Sequence, residues 1–270
     1  MTASAPSATV LDVRGVTMRF GGVVALEDVG FAARGGEVLG VMGPNGAGKT
    51  TLFNVISGVQ RPTRGEVALG GVRLTGRSVD RVAALGVTRT FQTPVMFRGL
   101  TVRESLAVAL AAHESGGAYP PGPERGLLAC GLGMRGRRRA DAALAERADA
   151  LLAGTALASM GDRPTETLAF GEERILELAR ALAVRPAVLL LDEPLSGLNP
   201  DEIQDVLDAV RAARADGIAV LLVEHAVGEL LSVADRVVVL DHGRTIAQGT
   251  PAQVAADPVV IDAYIGDELE

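Results

Sequence analysis

The chain has almost no cysteine. One residue, Cys130, stands among 270, which excludes an intrachain disulfide framework and a thiolate metal site. Long apolar runs are missing too. No stretch approaches the roughly 18 consecutive apolar residues of a membrane span. The first residues show no basic stretch followed by an apolar one, so no secretory leader is read there. Met1–Ala8 reads as a short disordered tail. Excess basic charge is also absent. The formal net charge is −7, and general nucleic-acid binding needs a basic face, so no nucleic-acid partner is expected. The chain is expected to be cytoplasmic, and any work at a membrane requires another chain to anchor it.

What is present is sufficient for a large core. At 270 residues and 48% hydrophobic composition, the chain reads as one large domain, or one domain carrying a sizeable insertion. The most informative segment is Gly43-Pro44-Asn45-Gly46-Ala47-Gly48-Lys49-Thr50. It satisfies the phosphate-loop pattern GxxxxGK[ST]. Glycines let the backbone curl so that several N–H groups face one phosphate chain. Lys49 adds a point charge for the outer phosphates. The Thr50 hydroxyl is a ligand for Mg²⁺, which keeps several waters and needs few protein groups. Glu37–Met42 reads as a buried strand before the loop, and Thr51–Ser57 as the helix after it, whose N-terminus favours an anion.

Around this loop, the expected elements divide into two kinds. Val16–Phe20 and Val23–Leu26 flank Gly21-Gly22 as a hairpin, and Gly65–Leu74 reads as another. From about residue 186 the pattern becomes strand, helix, strand, helix, strand. Val188–Leu191 is a continuous apolar run, as a strand buried on both faces requires, and Ile218–Val223 and Arg236–Leu240 read as further buried strands. Thr101-Val102-Arg103-Glu104 is a capping box, read as opening a helix over 105–112. Residues 113–139 are rich in Gly, Pro and Arg and read as a loop-heavy insertion, with Arg137–Arg139 a solvated face and 140–152 an amphipathic helix. Asn199-Pro200 caps a helix over 201–215, and Thr250-Pro251 opens a closing pair of short helices. The expected fold is α/β: a mostly parallel sheet, an N-terminal antiparallel β subdomain, and an inserted helical subdomain. The expected organisation is a tail at 1–8 and a single domain at 9–270, with the insertion at about 93–183.

Three further motifs carry chemistry. Asp192-Glu193 leaves the strand Val188–Leu191 at the carboxyl edge of the sheet, where ligands bind in such folds. Asp192 can reach a Mg²⁺ through water, and Glu193 can polarise an attacking water as general base. His225, in Val223-Glu224-His225, ends the next strand and can hydrogen-bond a γ-phosphate and that water; a lone histidine there would more often be structural. His113 and His242 fall in expected loops. Lastly, Leu168-Ala169-Phe170-Gly171-Glu172 opens a helix and offers backbone N–H groups to a second anion. That anion would belong to the nucleotide of a second copy of the chain.

The order of phosphate loop, Gln92, Gly171 turn, Asp192-Glu193, Ser196-Gly197-Leu198-Asn199 and His225 resembles the ATP-binding subunits of ABC transporters, over nearly the whole chain. Arg89-Thr90-Phe91-Gln92, Leu168-Ala169-Phe170-Gly171, Ser196–Pro200 and Ala263-Tyr264-Ile265-Gly266 are similar to the branched-chain amino-acid group. The resemblance implies ATP and Mg²⁺ as cofactors and ATP hydrolysis coupled to import. It implies transmembrane permease subunits as partners, and a head-to-tail dimer with a second copy or a paralogue, at the cytoplasmic face of the membrane. By the same resemblance, Phe20 stacks on adenine. Gly43, Asn45, Gly46, Gly48, Lys49, Thr50 and Thr51 form the nucleotide cradle. Ala169, Gly171 and Glu172 close on the other subunit's nucleotide. Thr50, Gln92 and Asp192 serve Mg²⁺, and Glu193, His225 and Gln92 serve catalysis. Residues 93–100 would receive the membrane partner.

Two residues depart from the superfamily's usual wording. Ala169 stands where serine is common and removes a hydroxyl. Glu172 stands where glutamine is common and adds a negative charge beside an anion site. The branched-chain group also carries alanine in that turn, so the departures imply no loss of activity.

Overall fold

The computed structural model describes residues 9–90, 97–114 and 134–267. Its strands are β1 (Thr9–Phe20), β2 (Val23–Arg34), β3 (Val38–Met42), β4 (Arg64–Leu69), β5 (Val72–Arg73), β6 (Val87–Arg89), β7 (Val188–Asp192), β8 (Ala219–Val223), β9 (Arg236–Asp241) and β10 (Arg244–Gly249). The early helices are α1 (Lys49–Ile56), α2 (Val79–Ala84), α3 (Val102–Glu114) and α4 (Met134–Leu152). They are followed by α5 (Phe170–Ala183), α6 (Pro200–Ala215), α7 (Val227–Val233), α8 (Pro251–Ala255) and α9 (Pro258–Asp267).

The chain separates into two compact units. The first holds residues 1–92, 186–196 and 210–270; the second holds 93–185 and 197–209. In the first unit, one sheet is antiparallel, in the order β2-β1-β4-β5. Its long hairpin turns at Gly21-Gly22, as the sequence suggests. The other sheet runs β10-β9-β3-β8-β7-β6; every pairing is parallel except that of β10 with β9. β3, β7 and β8 are buried at all positions, which explains their unbroken apolar runs. The fold is therefore α/β, as expected. One core joins the two sheets and α1: Leu11, Val29, Leu39, Leu52, Phe53, Leu190, Leu221 and Val238 all belong to it. Burial of α1 against this core fixes where the loop before it ends.

The second unit is helical. Thr101 and Glu104 bond reciprocally: Glu104 Oε2 accepts the Thr101 N–H at 2.8 Å and Thr101 Oγ1 accepts the Glu104 N–H at 3.2 Å. This makes Thr101 the cap and Val102 the first helical residue, so α3 starts three residues before the expected 105 and includes His113, which the sequence reading put in a loop. The helix expected from 140 begins at Met134 instead, so Arg137–Arg139 are helical and not part of a loop. Arginine propagates helices nearly as well as alanine, and one Gly136 does not break the pattern. Cys130 and the rest of 115–133 lie outside the described residues. Asn199 caps α6 through Oδ1, which accepts the N–H groups of Asp201 and Glu202, each at 3.0 Å. No helix among the described residues is long and apolar enough to cross a membrane.

Candidate functional site

The site begins where β3 ends. Gly43 leaves the strand at φ 147° and Gly48 caps α1 at φ 103°, conformations that side-chain-bearing residues rarely adopt. A Cβ on Gly48 would stand 2.6 Å from the Ala25 carbonyl oxygen and 2.8 Å from Leu26 Cδ2. Glycine is therefore required twice over there, by dihedral and by space. The loop curls around Lys49, whose Nζ donates to the carbonyls of Gly43 at 2.5 Å and Pro44 at 2.8 Å. The side chain is buried, so two carbonyl dipoles replace its hydration. The first amides of α1 have no preceding turn to bond to and add the positive end of the helix dipole.

Residues from three strand ends complete the pocket. A cavity of about 180 Å³ is lined by Asn45, Gly46, Ala47, Gly48, Lys49, Thr50, Thr51, Glu193 and His225. That volume is below the range of a whole drug-sized ligand and suits a phosphate chain. The sequence-predicted cradle and the two strand-end residues thus come together from segments far apart in sequence. Glu193 holds a left-handed backbone at φ 51°, unusual for a side-chain-bearing residue, while its N–H donates to the Val223 carbonyl at 2.9 Å. Its Oε1 lies 2.9 Å from His225 Nε2. A carboxylate only accepts, so the proton of this bond sits on Nε2. Oε2 remains for a water in the pocket.

Asp192 is 1% exposed. Its Oδ2 accepts from Arg89 Nη2 at 2.8 Å, and its Oδ1 is buried without a hydrogen-bond partner. An orphaned buried carboxylate oxygen on Asp192, and an exposed Thr50 in the phosphate pocket, are donor types that suit a hydrated cation. Gln92, the third residue expected at the metal, lies outside the described residues, as do 93–96 of the segment expected to meet a membrane partner. Phe20 ends β1 with 45% of its surface exposed, so it is not a core aromatic.

Several residues position the site in roles that the sequence reading did not assign to them. Arg89 also donates to Asn54 Oδ1 at 2.6 Å and lies over the Phe53 ring at 5.8 Å, so it ties β6 to α1 and to β7. Glu224 is buried, with Oε1 accepting the Leu195 N–H at 2.6 Å and Oε2 the His225 N–H at 3.2 Å. It locks the loop after Glu193 to the strand end that carries His225. Burial pushes its carboxyl above the usual carboxylate range, against the two N–H bonds that lower it. A charged residue closing an all-apolar strand was the available signal. Tyr264 accepts the Gly43 N–H at 2.9 Å.

The turn expected to face a second anion lies in the second unit. Ala169 caps α5 in an extended conformation and is exposed. Glu172 is not a loose negative charge there. Its Oε2 accepts the Ala169 N–H at 2.7 Å, and its Oε1 pairs with Arg163 Nη1 at 2.9 Å. Gly171 packs closely on Glu202: a Cβ would fall 2.1 Å from Glu202 Oε1, and that side chain would have to move to admit one. Arg174 covers the exposed Phe170 ring at 5.3 Å.

A sequence profile described as ABC transporter matches residues 26–196, and one described as branched-chain amino acid ATP-binding cassette transporter matches 244–270. BraF of Pseudomonas aeruginosa, a high-affinity branched-chain amino acid transport ATP-binding protein, is 37% identical over 97% of this chain and 99% of its own. LivG of Escherichia coli, of the same description, gives the same identity and coverage. LptB of Acidithiobacillus ferridurans, from a lipopolysaccharide export system, is 33% identical over 92% of each. Among solved structures, an ATP-binding cassette of an ABC transporter in its ADP conformation is 29% identical with a TM-score of 0.79, covering 96% of this chain and all of the other. With a family profile across most of its length and relatives matched end to end, the chain belongs to the ABC transporter family, as one of its ATP-binding cassettes.

Proposed function

We propose that this chain binds and hydrolyses ATP to drive an importer of branched-chain amino acids. The carrying observation is the pocket itself: the glycine-rich loop and Lys49 line it together with Glu193 and His225. Lys49 and the α1 N-terminus hold and neutralise the phosphates. Glu193 takes the proton of the attacking water, and His225 fixes the orientation of that carboxylate. Thr50 and Asp192, with Gln92, would hold Mg²⁺, which supplies charge neutralisation on the phosphates. Phe20, exposed at the hairpin tip, would stack on the adenine that the small pocket leaves outside.

The N-terminus of α5, with Ala169 exposed, would serve the phosphates of a second copy or a paralogue. The two chains would close on ATP and separate after hydrolysis. Permease subunits would hold the pair at the cytoplasmic face of the membrane, with residues 93–100 at the contact. The cargo reading rests on the branched-chain transport relatives and on the profile match at residues 244–270.

The test is uptake of labelled leucine, isoleucine and valine in cells lacking the gene. Restoration by the wild-type chain and not by Lys49→Ala is expected. Normal uptake in the deleted cells would contradict the cargo. Full restoration by Lys49→Ala would contradict the ATP-driven reading.

A further inference from the structure

The C-terminal helix α9 reaches back to the start of the phosphate loop. Tyr264 and Gly43 are separated by 221 positions, yet Tyr264 Oη accepts the Gly43 N–H at 2.9 Å. Gly43 is buried, so this amide has no water to turn to if the hydroxyl is removed. Its dihedral, φ 147°, belongs to a region that glycine crosses at little cost, so sequence alone does not hold the peptide in place. The surroundings do. A Cβ on Gly43 would stand 2.1 Å from the Leu240 carbonyl oxygen, which closes one side. On the other side of Gly43, its carbonyl accepts from Lys49 Nζ at 2.5 Å. One residue of high intrinsic freedom is thus pinned at its N–H by Tyr264 and, at its C=O, carries the ammonium that faces the phosphates.

We propose that Tyr264 is a positioning residue of the nucleotide site. Its hydroxyl fixes the rotation of Gly43 and, through the Gly43 carbonyl, the place of the Lys49 ammonium. Tyr264 does not line the phosphate pocket, and it acts only through the loop. The docking of α9 has its own anchor in Val260, which is 5% exposed. The hydroxyl is therefore separable from helix packing. The inference rests on the phosphate-loop reading of Gly43–Thr50.

The experiment compares intact wild-type chain, Tyr264→Phe and Val260→Ala in ATP titration with Mg²⁺, in steady-state ATPase kinetics, and in urea unfolding without nucleotide. Tyr264→Phe keeps the ring and removes the hydroxyl, and with it the acceptor for the Gly43 N–H. It should raise the Kd and KM for ATP about five- to tenfold, the ratio supplied by one hydrogen bond of ordinary strength. Turnover at saturation should change little, the signature of lost binding that is uniform through the reaction. Val260→Ala should lower the unfolding midpoint and leave KM near that of wild type. An unchanged KM in Tyr264→Phe would overturn the proposal and leave the site reading intact. So would a KM raised as much by Val260→Ala, because the effect would then belong to helix docking. A wild-type chain that fails to bind ATP would overturn the site reading and the proposal together.

Discussion

Glu224 shows how much of the site depends on single residues outside the reacting groups. Its two carboxylate oxygens hold the N–H of Leu195 and that of His225, so one buried acid fixes the loops on both sides of Glu193. Burial raises its carboxyl above the usual value. The folded chain then holds the proton more tightly than the unfolded chain. Its contribution to stability is fully present below the ordinary carboxylate value, near 4.5, and is lost as pH rises through the raised one. Glu224→Gln removes this titration while its amide oxygen still accepts one N–H. Urea unfolding across pH 4 to 8 should therefore show a smaller fall with rising pH in Glu224→Gln than in wild type. Parallel curves would mean that Glu224 titrates alike in both states.

At the scale of elements, Arg89 is the joint on which β6, α1 and β7 meet. Its guanidinium pairs with Asp192, which is nearly inaccessible, so truncation leaves a buried carboxylate without its counter-charge. Arg89→Ala should cost about 3–5 kcal/mol in urea unfolding. A loss below about 1 kcal/mol would show that water or a cation replaces the guanidinium. The existence of these elements was legible in the sequence. The buried parallel strands announce themselves as unbroken apolar runs, and the phosphate loop as spaced glycines with a lysine. Boundaries were less legible. The capping box at Thr101 and Glu104 was read correctly, but α3 was started at its end instead of at its cap. The first residues of α4, 134–139, read as loop from the sequence because the segment around them is rich in glycine, proline and arginine and lacks periodicity, although arginine favours helix. The partners Arg163 for Glu172, Arg89 for Asp192 and Tyr264 for Gly43 were not legible. They join elements that meet only after folding, and local pattern says nothing about which distant side chain fills a buried bond.

For the whole molecule, the proposed function requires two nucleotide-facing surfaces on one chain: the Gly43–Thr50 cradle and the exposed N-terminus of α5. A single chain would use the first, and the second would meet a nucleotide only in a partner. Sedimentation of the purified chain, alone and with a paralogous cassette, should show monomers without nucleotide and association when ATP and Mg²⁺ are added. A sedimentation coefficient that ATP leaves unchanged, in both preparations, would contradict the paired arrangement.

In the proposed function, Glu193 carries the hydrolytic step in a pocket that holds ATP. Phosphate release by Glu193→Gln, measured beside its ATP affinity, tests this most directly. The amide keeps the shape of the carboxylate and cannot take the proton of the water. ATP binding should persist, and turnover should fall by the roughly 10²- to 10⁴-fold that general base catalysis supplies. Turnover near the wild-type rate would contradict the account.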